Sequence, residues 1–426
     1  MSNTINIKKT ELEISSTFSG DQLSIPIFEI FLTSTDATSL DDPYNIYIQS
    51  SMHGSELQGN AVIYELISML FNCNKSFLPL LKCPLKFTLV PLANPLALNQ
   101  KIHGHTIGRF NVQSGENYNR TYVNTENLIL DIDLNLFFQD NYNDNYNDNH
   151  NHHKNWDEIK SNYKKLLKQK LIENRDTLVN SRGISYQQRL NIELQILASS
   201  ADIVLDLHTA AQGMRYIFAP LYCYQNAFHF NFPLTIVIPN KFAGAMDEAS
   251  FTPWYHLKKF FQEKNVEIPL EFESYTLELG NEESIDFKAA KIDAQNILHY
   301  LAFKKIFDHQ EFNHNDINNN NNNKCSYQAH SELKNYLTYY SPHSGLVEFI
   351  KKPGEIIKKG ETVAKILNFK NFIANKNYLD KDLINLNSLI TEVAAKNDSI
   401  LVNHCSTASI SAGSELFKVI ENYNLI

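Results

Sequence analysis

Between residues 1 and 312 the sequence alternates between apolar runs of strand length and longer stretches whose apolar residues recur every three or four positions. The runs NIYIQSS (45–51), LKFTLVP (85–91), ADIVLDLH (201–208), LTIVIP (234–239) and SYTLEL (274–279) are rich in β-branched and aromatic residues and read as strands. Segments 59–72, 185–199, 253–265 and 288–307 carry the helical spacing. Strands that are apolar almost throughout belong in a sheet covered on both sides, so an α/β domain with a mostly buried sheet is expected here. In such sheets the chemically active side chains collect at the carboxyl ends of the strands.

Two tracts break this pattern. DNYNDNYNDNHNHH (140–153) and NHNDINNNNNNK (313–324) hold too few aliphatic residues to offset the entropy of ordering, and both are expected to be mobile surface segments. The first reads as a loop insertion within the domain of residues 1–312, and the second as an interdomain linker over 313–325. Beyond it, in 326–426, short alternating strands separated by Pro-Gly and Lys-Gly turns predict a small all-β domain. Its halves, PHSGLVEFIKKPGEIIKKGETVAKIL and SILVNHCSTASISAGSELFKVIE, are alike enough to suggest an internal duplication.

Composition narrows the function. A formal charge of −9 argues against nucleic acid or an anionic membrane as partner, and no apolar run approaches the ~20 residues that span a bilayer. The first residues lack a secretory pattern, so a cytoplasmic location is expected. The five cysteines are scattered and never spaced Cys-x-x-Cys, which disfavours a disulfide framework or a thiolate zinc site. A metal would have to be held by histidines and carboxylates.

Such a set exists. The strand ending at Ser51 runs into MHGSELQGN, where His53 and Glu56 stand three residues apart before a helix, with Gly54 and Gly59 allowing close backbone approach. His208 closes the strand ADIVLDLH, with Asp206 on the same strand face. Two histidines and one glutamate leave a coordination position open, as in catalytic zinc sites; the competing reading of His208 is a capped core histidine. Glu278, sharing a face with Ser274 and Thr276, is a candidate general base or else a water-facing edge residue. Arg109, Asn119 and Arg120 in GRFNVQSGENYNRTY suit a carboxylate or an oxyanion, though loop arginines are commonly plain surface residues. Arg215, on the strand after the third ligand, is a candidate for reading a second acidic or polar group.

The order HGSE, Asn94-Pro95, NYNR, DLHTA and LELG resembles the succinylglutamate desuccinylase/aspartoacylase branch of the zinc carboxypeptidase superfamily, and the tail resembles its C-terminal barrel-sandwich domain, similar to biotinyl and lipoyl modules. The resemblance implies a zinc-carboxypeptidase-like mixed sheet flanked by helices. It also implies one Zn2+ per chain on His53, Glu56 and His208, with Glu278 as general base, Arg109 at the oxyanion, and Asn119 with Arg120 on a substrate carboxylate. The expected activity is hydrolysis of an amide in a small N-acyl amino acid, with a peptide-cleaving carboxypeptidase or a non-catalytic zinc-containing binding protein as rivals. Two positions depart from the pattern. Asn117 stands where relatives carry an aspartate that orients a zinc histidine, and Lys396 lacks the flanking residues of a modified carrier lysine, so the tail is expected to be structural or gating. Self-association is left open.

Overall fold

The computed structural model describes residues 4–33, 43–72, 83–142, 155–306, 326–369 and 389–426. The strands up to residue 281 are β1 (Thr4–Ser16), β2 (Gln22–Thr33), β3 (Tyr44–Ser50), β4 (Leu85–Val90), β5 (Lys101–Ile102), β6 (His105–Thr106), β7 (Ile203–Ala210), β8 (Gln212–Gly213), β9 (Arg215–Pro220), β10 (Leu234–Ile238) and β11 (Glu273–Asn281). The helices are α1 (Gln58–Asn72), α2 (Pro95–Asn99), α3 (Asp131–Asn141), α4 (Trp156–Ser181), α5 (Tyr186–Ala198), α6 (Met246–Glu263) and α7 (Phe287–Phe303). The tail adds β12 (Ala329–Glu332), β13 (Tyr336–Tyr340), β14 (Gly345–Phe349), β15 (Ile356–Ile357), β16 (Thr362–Leu367), β17 (Ile390–Ala394), β18 (Ser399–His404), β19 (Ser409–Ile410), β20 (Glu415–Glu421) and β21 (Asn424–Leu425).

A ten-stranded mixed sheet, in the order β1-β2-β4-β3-β7-β11-β9-β10-β12-β21, organises the molecule. Its centre, β4-β3-β7-β11, is parallel, and β9 joins β11 antiparallel. One face packs Leu205, Leu207, Leu277 and Leu279 against α1 and α7; the other buries Tyr47 and Val204 beneath a layer drawn from α3 to α6. With helices over both faces, the central strands have no exposed side to keep polar, which accounts for their unbroken apolar runs. The expected α/β domain is therefore present, with its buried sheet.

The tail forms two antiparallel sheets, β13-β20-β18-β15 and β17-β16-β14-β19, closing on Val363, Ile366, Leu401, Leu416 and Val419. It is continuous with the larger sheet at both ends, because β12 pairs parallel to β10 and β21 pairs with β12. A further ladder ties β8 to β18, so Met214, Tyr216, Ile236, Val402 and Ile420 share one apolar cluster.

The asparagine-rich tracts fall largely outside the described residues. The first begins inside a helix, because Asp140 and Asn141 finish α3 and the buried Asn141 accepts a hydrogen bond from Asn162. His150, His152 and His153, Cys73 and Cys325 also lie outside; Cys83, Cys223 and Cys405 are free thiols. Among the described residues no helix is long and apolar enough to cross a membrane.

Candidate metal centre

Three adjacent strands, β3, β7 and β11, deliver the expected residues to one place. β3 stops at Ser50, and the turn that follows, begun by Ser51 in the left-handed region (φ 59°), aims His53 and Glu56 back over the sheet. Gly54 is required there: a Cβ would lie 2.1 Å from the Ala97 carbonyl oxygen. Gly59 likewise lets α1 approach the sheet, since a Cβ would meet the Ser50 hydroxyl at 2.3 Å. His208 on β7 stands directly beside Glu278 on β11.

The side chains of His53, Glu56 and His208 are almost wholly buried, and their ligand atoms lie within 4.8 Å of one another. Both imidazoles turn Nδ1 toward the carboxylate: His53 Nδ1 is 2.8 Å from Glu56 Oε1, and His208 Nδ1 is 2.7 Å from Oε2. Both Nε2 atoms are anchored behind. His53 Nε2 donates to Asn117 Oδ1 at 2.9 Å, the same oxygen that accepts from the Asn119 backbone N–H, which fixes that amide's orientation. His208 Nε2 donates to Asp206 Oδ2 at 2.8 Å. Anchoring Nε2–H turns Nδ1 toward the carboxylate, where a cation could take the place of the Nδ1 proton, the arrangement typical of metal-binding histidines. Asp206, noted in the sequence only as a strand neighbour, is thus the group that orients His208. It is held in turn by Gln49 Nε2 at 2.9 Å, whose own Oε1 accepts from Tyr47.

Electrostatics follow from these contacts. Burial opposes a charge on His208, but Asp206 and Glu56 outweigh it and raise its pKa well above the usual imidazole range. Burial lowers that of His53. Burial also opposes ionisation of Glu56, yet the two histidines hold its pKa well below the ordinary range. A carboxylate that prefers to be ionised between two imidazoles, both fixed with Nδ1 inward, is a donor set suited to a divalent cation.

A cavity of about 240 Å³ opens over this centre, and Arg109, Asn119, Arg120 and Glu278 line it as well. Glu278 Oε2 is shielded from solvent and has no hydrogen-bond partner. Burial, then the charge of Glu56, push its pKa up to about 7. Arg109 Nη1 donates to Glu56 Oε1 at 2.9 Å. Asn119 is already committed: its Oδ1 accepts from the Met246 N–H at 3.2 Å, and its Nδ2 faces Asp206 and His208. The exposed Arg120 has one guanidinium nitrogen on the Asn119 carbonyl.

Arg215 is elsewhere. β9 runs antiparallel to β11 with Arg215 opposite Leu279 and Tyr216 opposite Glu278, so Arg215 takes the face turned to α7, where Nη1 donates to the buried Asp293 at 2.7 Å. It does not line the cavity.

The walls include residues that motif reasoning missed. Asp247 and Glu248 come from the start of α6, Thr276 and Phe218 from the sheet, and Leu333 and Tyr336 from the tail. Burial, then Glu248 and Asp206, raise the pKa of Asp247 to about 7. Alternation along β11 placed Thr276 beside Glu278 and could have found that residue; the others depend on tertiary packing.

Residues 43–304 match the family model of the succinylglutamate desuccinylase/aspartoacylase catalytic domain. A solved structure named as a candidate succinylglutamate desuccinylase/aspartoacylase from Shewanella frigidimarina NCIMB 400 is 30% identical, with a TM-score of 0.79 over 99% of both chains. A family protein from Shewanella amazonensis SB2B is also 30% identical, at a TM-score of 0.78 over 98% of this chain and 100% of that one. The product-bound ectoine utilization protein EutE (DoeB) from Ruegeria pomeroyi shares the fold at 13% identity and a TM-score of 0.56, covering 98% of this chain and 95% of that one. No curated protein matches the chain.

Proposed function

The chain belongs to the succinylglutamate desuccinylase/aspartoacylase family, and on that premise we propose that it is a zinc-dependent amidohydrolase that deacylates a small N-acyl amino acid. The observation that carries this reading is the convergence of two backward-anchored imidazoles and one carboxylate beside Glu278, a carboxylate without a partner.

His53, Glu56 and His208 would hold the ion, and three protein ligands leave room for reactants. Zinc bound there supplies Lewis acidity, polarising a scissile carbonyl and making water more acidic. Asn117 and Asp206 keep the imidazoles in the tautomer that can bind. Glu278 removes a proton from the attacking water and delivers it to the departing nitrogen, a role open to a buried carboxylate whose Oε2 has no other hydrogen-bond partner. Arg109, already beside Glu56, stabilises the oxyanion. Arg120 anchors the substrate carboxylate, while Asn119, engaged at both ends of its amide, braces the start of α6 next to it.

A cavity of about 240 Å³, with Leu333 and Tyr336 of the tail in its wall, favours small substrates over peptides. A non-catalytic zinc protein would have no use for an unpartnered carboxylate at the centre. The test is metal analysis combined with a panel of N-acetyl, N-succinyl and N-formyl amino acids assayed for free amine. About one zinc per chain and chelator-sensitive release of amine are expected; full turnover by metal-free protein overturns the proposal.

A further inference from the structure

The two ends of the ten-stranded sheet are built differently. One is finished by β21, two residues long (Asn424–Leu425), a short strand that offers little to pair with. The other is finished by β1, thirteen residues long, and among the described residues its backbone pairs with β2 alone. The outer N–H and C=O groups of so long a strand form a template for another strand.

Charges on β1 restrict what can add to it. Ile5 packs on the α1/α7 side of the sheet, whereas Leu12 and Ile14 pack on the opposite side. By alternation Lys9 and Glu11 share the first face and Lys8 and Thr10 the second. Lys8 is engaged within the chain, 3.8 Å from Glu29 on β2. Lys9 and Glu11 are exposed, 55% and 59%, and lie 3.1 Å from each other along the strand. The sequence is self-complementary about Thr10. In an antiparallel pairing with a second copy of β1, a two-fold axis at Thr10 sets Lys9 opposite the partner's Glu11 and Glu11 opposite the partner's Lys9. Moving the axis to Lys9 opposes two ammonium groups, and moving it to Glu11 opposes two carboxylates. Directly opposed like charges destabilise a ladder and unlike charges support it, so the pattern disfavours these two neighbouring axes and favours the one at Thr10, where Lys9 and Glu11 both meet the opposite charge.

We propose that β1 is a homodimer interface, joining two copies through an antiparallel β1–β1 ladder centred on Thr10, so that their two sheets become one. The bulge between Glu13 and Ser15 ends the ladder on one side. Because a strand-edge contact is small, affinity in the micromolar range is expected.

Sedimentation of the full chain at tens of micromolar should give a dimer. Lys9→Glu and Glu11→Lys should each weaken self-association by roughly tenfold or more, because both symmetry-related pairs turn repulsive. An equimolar mixture of the two variants should associate again, since the two carboxylates of one copy then face the two ammonium groups of the other. The double variant Lys9→Glu/Glu11→Lys should dimerise with itself. Circular dichroism checks that each exposed substitution leaves the fold intact. A wild-type monomer at these concentrations overturns the proposal. So does a dimer that is indifferent to the single substitutions, and so does a mixture that stays monomeric.

Discussion

Glu278→Gln separates chemistry from architecture more cleanly than any other substitution in this protein. The amide has the same shape but cannot take a proton, so turnover on the best substrate should fall by roughly 10²–10⁴. Stability should move the other way. Glu278 Oε2 has no hydrogen bond to lose, and the folded environment raises its pKa from 4.5 to about 7. A raised carboxyl favours the protonated folded form, so its contribution is fully present below the unfolded pKa and is lost as pH climbs through the folded one. A rise of that size corresponds to roughly 3 kcal/mol above pH 7, removed when the charge is removed. Chemical denaturation of metal-free protein at pH 8 should therefore find the variant more stable than wild type, with the difference vanishing near pH 4. Zinc should narrow the gap, because a cation offsets the repulsion between Glu278 and Glu56. An unchanged turnover number, or a variant less stable than wild type at pH 8, refutes this account of Glu278.

Asp206→Asn should keep the fold but weaken zinc binding by about 10- to 100-fold, measured by competition with a chromogenic chelator, because the group orienting His208 loses its charge. Arg120→Ala should raise KM far more than it lowers kcat, at a cost of roughly 1.5–3 kcal/mol in kcat/KM; a pure kcat effect contradicts its role as carboxylate anchor. Asp293, paired with Arg215, has its pKa raised by burial to about 6. It therefore lowers stability by up to roughly 3 kcal/mol as pH rises from about 4 through 6, and Asp293→Asn should flatten that part of the stability profile.

The strands that carry the centre were legible because burial on both faces makes β3, β7 and β11 continuous apolar runs, and the residues at their ends stand out against that background. The β1–β2 hairpin was not. Along β2, Ile25 and Ile27 enter one core while Ile30 and Leu32 enter the other, so the simple two-residue period is lost midway. Helix α4 buries only Ile159, Tyr163, Leu167 and Leu171, a narrow stripe in an otherwise polar 26-residue segment. At the site, local turns revealed the ligands, but the anchoring of His208 by Asp206 depends on rotamers, and the walls at Leu333 and Tyr336 depend on where a distant segment returns. The place of Arg215 depends on strand order, which its position in the sequence does not reveal: pairing antiparallel to β11 puts it on the opposite side of the sheet from Glu278.

The return of the tail to the large sheet has a consequence for how the polypeptide comes apart. Were the backbone severed between residues 306 and 326, the fragments would still be interleaved, with Ala329–Glu332 laddered onto β10 and Gly213 onto Asn403. Neither piece could depart without uncovering the other's hydrogen-bonding rim and the apolar cluster around Met214 and Val402. Such a nicked molecule should travel as one particle under native conditions and resolve into two bands only in detergent.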